Sequence, residues 1–146
     1  MAIDYYVNDF DASKTKDLYD NRSKSEIDPF RMGIIAGNIP KSILDLAFIE
    51  MLPNVGYTKT QIDPAKFARI DGIFVEKTAM NSVTSPCIYV YREILIFKKE
   101  YKVVGTTKIC FGCMDYQVNG TTANTENFGQ DGDYEKLSYY WNIDTL

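Results

Sequence analysis

The chain has 146 residues, of which 45% are hydrophobic and 25% charged, a composition typical of a folded domain and unlike that of a disordered chain. A chain of this length can bury one sizeable hydrophobic core. The net charge of −4 arises from 16 basic and 20 acidic residues mixed along the chain, so nucleic acid is not an expected partner. No apolar run approaches the roughly 18 residues of a membrane span, and no secretion signal is recognisable. We therefore predict a soluble protein with no membrane contact, in the cytoplasm or in a virion.

The positions of turn-forming residues and the spacing of apolar residues divide the chain into a polar segment and one domain. Residues 1–31 are rich in Asp, Asn, Ser and Lys and are predicted to be a polar lead-in, and residues 32–146 are predicted to form a single globular domain. Helical patterns come before strand patterns, without regular alternation of the two. The predicted class is α+β, with short N-terminal helices packed on a C-terminal antiparallel β-meander.

Two helices are predicted in the first half of the domain. Apolar residues recur at helical spacing over 43–51, between Pro40 and Pro53, after a turn or hinge at 33–37. A second, shorter helix should begin at Asp63, because Asp is a favoured N-cap residue and Pro64 suits the first helical position.

Strands are predicted from Gly72 onward. The candidate segments are residues 73–76, 87–97 and 101–110, and the charged connection at 98–100 suits a hairpin. Asn119-Gly120 is the dipeptide preferred in two-residue hairpin turns. Together these signals indicate an antiparallel arrangement of the later strands.

The absence of histidine excludes many familiar chemistries. Ser-His-Asp and Cys-His nucleophilic sites, zinc hydrolases with histidine ligands and classical zinc fingers all need this residue. The sequence also lacks the glycine-rich motifs that hold nucleotide phosphates. We therefore expect that the protein is not an enzyme.

The three cysteines offer one alternative. Cys110 and Cys113 have the spacing at which two thiolates bind a soft metal or form a small disulfide ring, and Cys87 would supply a third ligand. No complete four-ligand set is apparent, and a structural explanation of the pair as small buried residues in a strand competes with this one. A metal- or thiol-dependent protein, with zinc as the metal, is the alternative function; otherwise no cofactor is expected.

Aromatic residues make up 14% of the chain, including eleven tyrosines, and they cluster near the C-terminus. Tyr139, Tyr140 and Trp141 would dock either on the domain's own core or on a partner. Because catalytic motifs are lacking and tyrosine is abundant, the leading hypothesis is a non-enzymatic interaction or assembly protein, such as a viral structural or accessory component. Its expected partner is another protein or a copy of itself, in a homo-oligomer.

Overall fold

A computed structural model of the chain describes residues 2–8, 32–43, 45, 47–60, 62–74, 90–110 and 115–120. Their centre is a five-stranded antiparallel sheet with the spatial order β2-β1-β3-β4-β5. The strands are β1 (Ala2–Val7), β2 (Thr58–Thr60), β3 (Glu93–Lys99), β4 (Lys102–Cys110) and β5 (Asp115–Asn119). Short helices accompany this sheet, so the predicted α+β class is confirmed at that level.

Alternating apolar residues give the sheet a core on each face. In β3, for example, Leu95 and Phe97 point to one face while Ile94 and Ile96 point to the other, and all four are buried. The first face packs against α2 (Phe67–Asp71), and we call it the α2 face; its buried residues are Ile3, Tyr5, Ile62, Ile70, Ile73, Leu95, Phe97 and Ile109. The second packs against α1 (Ala47–Met51), and we call it the α1 face; its buried residues are Tyr6, Ile34, Ile35, Phe48, Leu52, Val55, Tyr57, Val90, Ile94 and Ile96.

The helices are shorter than the sequence predicts. Residues 32–35 form one helical turn, and among the described residues of the predicted helix over 43–51, those in α-helix are Ala47–Met51. The Asp45 amide donates to the Ser42 carbonyl at 3.1 Å, which makes a separate turn before α1. After α1 the chain continues as the 3-10 turn Pro53–Val55.

The predicted start of the second helix is confirmed. The Asp63 side chain accepts a hydrogen bond from the Ala65 amide at 3.0 Å, and Pro64 opens the 3-10 turn Pro64–Lys66 that leads into α2. The predicted strand at 73–76 is wrong at its first two residues, which belong to the 3-10 turn Gly72–Phe74, and its last two lie outside the described residues. Ile73 follows Ile70 at helical spacing, and both enter the same core cluster.

The N-terminal strand was not foreseen. Residues 2–7, which the sequence places in the polar lead-in, form β1 between β2 and β3, with Ile3, Tyr5 and Tyr6 buried. The predicted order of helices first and strands later is therefore not confirmed. The predicted hairpin is present, because β3 and β4 pair as neighbours, although the turn lies at residues 100–101.

The beginning of the predicted strand 87–97 has another structure. Residues 90–92 are described but are not in a strand, and residues 87–89 lie outside the described part. The Tyr91 amide donates to the Ile35 carbonyl at 2.7 Å, and the Tyr91 carbonyl accepts from the Tyr57 hydroxyl. These two hydrogen bonds hold the segment against Ile35 and Tyr57, which pack on the α1 face, and β3 begins only at Glu93.

Candidate functional site

The β3–β4 turn presents an aromatic side chain to solvent. Lys99 pairs with Lys102, so Glu100 and Tyr101 make a two-residue loop, with φ of 52° and 65°. Positive φ at both loop positions is the signature of a type I′ turn, whose favoured dipeptide is Asn-Gly. The Tyr101 side chain is fully exposed, at 101% of its reference surface. We call residues 99–102 the hairpin tip.

This turn has a conformational cost. A non-glycine residue in the left-handed region loses roughly 1–2 kcal/mol relative to the right-handed one, because its Cβ crowds the following carbonyl. The hairpin tip has two such residues in succession. Tyr101 and Val104 are the exposed large hydrophobic residues in the described part of the chain, and both lie on this hairpin.

A β-bulge adjoins the hairpin tip. Phe97 pairs with Gly105, but Lys98 pairs with Val103, so Val104 is an extra residue in β4. Beside it, on the α2 face, lies a cleft of about 240 Å³ that we call the apolar cleft. Its lining residues include Phe97, Lys99, Val104, Thr107, Val118 and, at the rim, Asp71.

A second cleft lies on the opposite side of β5. It has a volume of about 460 Å³ and is bounded by the loop at 38–41 and by β5; we call it the polar cleft. Its lining residues are Asn38, Pro40, Lys41, Gln117, Val118 and Asn119. Both clefts therefore border Val118 and Asn119 of the same strand.

Side chains of β5 form one wall of the polar cleft. The Gln117 amide group donates to the Gly37 carbonyl at 2.8 Å, and the Asn119 amide group donates to the Pro40 carbonyl at 3.0 Å. These bonds attach the loop at 37–40 to the sheet, so the polar cleft has a fixed wall.

Lys108 is the most unusual buried group in the described structure. Its residue is only 1% exposed, and its Nζ donates to the carbonyls of Gly33 (3.3 Å), Ile34 (2.7 Å) and Gly37 (2.8 Å). The ammonium group also lies 4.6 Å from the centre of the Tyr91 ring, within range of a cation–π interaction.

The chemistry of Lys108 indicates a structural role. Burial lowers the pKa of Lys108 to about 7, a value that suits nucleophilic lysines. The three carbonyl oxygens favour the charged ammonium form and so oppose the fall in the pKa of Lys108, because a neutral amine has only two N–H groups to donate. All three ammonium donors are used and the residue is inaccessible, so Lys108 attaches the segment 33–37 to the sheet.

Two carboxylates have pKa values shifted in opposite directions. Burial raises the pKa of Glu93 to about 7, and the charge of Arg92 only partly offsets this. Burial acts in the same direction on Asp4, but the hydrogen bond and charge of Lys98 and then the charge of Lys59 lower the pKa of Asp4 below its usual value. Asp4 lies 2.6 Å from Lys98 Nζ and 3.3 Å from Lys59 Nζ, which links β1 to both of its neighbours.

The predicted cysteine site is described only in part. Cys110 is buried at the end of β4, on the same face as Lys108, while Cys87 and Cys113 lie outside the described residues. Within the described ranges, no three His, Cys, Asp or Glu residues are grouped as metal ligands. The thiol or zinc hypothesis therefore stays a prediction.

The predicted aromatic contact residues, Tyr139, Tyr140 and Trp141, also lie outside the described residues. Sequence reasoning missed Tyr101 and Lys108. The short loop between two strand patterns gives a signal for the turn, but composition does not show which of eleven tyrosines is exposed. For Lys108 the strand pattern gives no signal, because lysine on a strand is normally exposed.

The chain matches no protein-family model, no curated protein sequence and no solved structure. Among the described helices, none has the length and apolar character required to cross a membrane.

Proposed function

We propose that this protein is a non-enzymatic interaction or assembly protein, that the hairpin tip is one of its contact points, and that its partner is another copy of the chain. The observation that carries the proposal is the exposed Tyr101 in a backbone conformation that disfavours any residue with a side chain. Such local strain is typical of functional sites, where a contact compensates for the cost.

The side chain at the tip is of the type that dominates protein interfaces. Tyrosine is enriched among the residues that contribute most to binding, because its ring is large and loses few rotamers on burial. A ring that is fully exposed in the monomer gains the most from being covered. The exposed Val104 lies on the same hairpin and lines the apolar cleft.

The charges around the tip favour an acidic partner surface. Lys99 and Lys102 flank the loop, with Glu100 between them, whereas the whole chain has a net charge of −4. A locally basic tip on an acidic protein is complementary to the average surface of a second copy.

The test is sedimentation velocity of the full chain over a wide concentration range. Tyr101→Ser should weaken self-association by about tenfold or more, since loss of a central interface tyrosine typically costs 1–2 kcal/mol or more. Arg69→Ser, at an exposed position on α2, is the matched control and should associate like the unmodified chain. A chain that remains monomeric at every concentration, or a Tyr101→Ser variant that associates unchanged, would contradict the proposal.

A further inference from the structure

We draw no further inference here: the strongest candidate, the apolar cleft beside the β-bulge of β4, has Gly120 among its lining residues, and nothing in the structure shows whether residues 121–146, which follow Gly120 and lie outside the described part of the chain, or a second copy covers it.

Discussion

Lys108 illustrates how one buried cation can organise a fold. Its three hydrogen bonds go to backbone carbonyls of a segment far away in sequence. The Gly33 carbonyl also accepts from the amides of Gly37 and Ile39, and the Gly37 carbonyl also accepts from the Gln117 side chain. A strand lysine thus fixes the position of residues 33–37 above the α1 face. The same segment continues into the wall of the polar cleft, so Lys108 supports that cleft indirectly.

Replacing Lys108 should therefore destabilise the protein. We expect Lys108→Met to lower the free energy of unfolding by about 1–3 kcal/mol, because the three hydrogen bonds from the ammonium group to the carbonyls of Gly33, Ile34 and Gly37 are lost. Lys102→Met, at an exposed position on the same strand, should stay within about 0.5 kcal/mol of the unmodified chain. Urea unfolding measures both variants, and equal effects would contradict the structural role of Lys108.

Two glycines offer a matched pair at the end of β5 and the end of α2. Gly120→Ala should destabilise by about 1–3 kcal/mol, since its φ is 89° and the new Cβ would collide with the Val104 carbonyl. Gly72→Ala should stabilise by about 0.4–1 kcal/mol, because its φ is −64° and no atom lies within 4 Å of the new Cβ. Thermal unfolding of both variants distinguishes them, and an equal shift in Tm would show that the backbone at Gly120 is not as described.

Among the elements, the β3–β4 hairpin combines a regular ladder with an unfavourable loop. The double variant Glu100→Asn, Tyr101→Gly supplies the favoured type I′ dipeptide and should raise the free energy of unfolding by about 1 kcal/mol. Glu100→Gln, Tyr101→Phe keeps the strained loop and should leave stability unchanged. Denaturant unfolding provides the comparison, and a double variant that is no more stable than the unmodified chain would show that the loop is not strained.

The elements also show which parts of the fold could be predicted from sequence. The hairpin and the Asp63–Pro64 helix start were predictable because their signals lie within a few neighbouring residues. β1 was missed because Asp4 within it and Asn8 directly after it make this segment look polar, and because its partners on β3 lie far away along the chain. The site was less predictable still, since the exposure of Tyr101 and the clefts beside β5 depend on the assembled sheet.

At the scale of the whole molecule, the half-buried Glu93 and the buried Lys108 predict an unusual dependence of stability on pH. The pKa of Glu93 rises from 4.5 to about 7 on folding, so its contribution is full below about pH 4.5 and is lost as the pH rises through 7. The pKa of Lys108 falls from 10.5 to about 7, so the unfolded chain binds this proton more strongly and stability increases between about pH 7 and 10.5. The two contributions together give the free energy of unfolding a minimum near neutral pH.

Urea unfolding across this pH range tests the prediction, with a slope of up to about 1.4 kcal/mol per pH unit for each group. Glu93→Gln should remove the decrease on the acidic side, and Lys108→Met should remove the increase on the alkaline side. A maximum of stability at neutral pH, or a profile that neither variant changes, would be inconsistent with these pKa shifts.

The central claim is that the chain assembles through the hairpin tip. The most direct measurement is a concentration series of amide NMR spectra of the full-length protein. We predict that signals of residues 99–104 shift progressively with concentration, while those of β2, at the edge of the described sheet, do not. Spectra that are independent of concentration, or shifts confined to residues 58–60, would contradict the account.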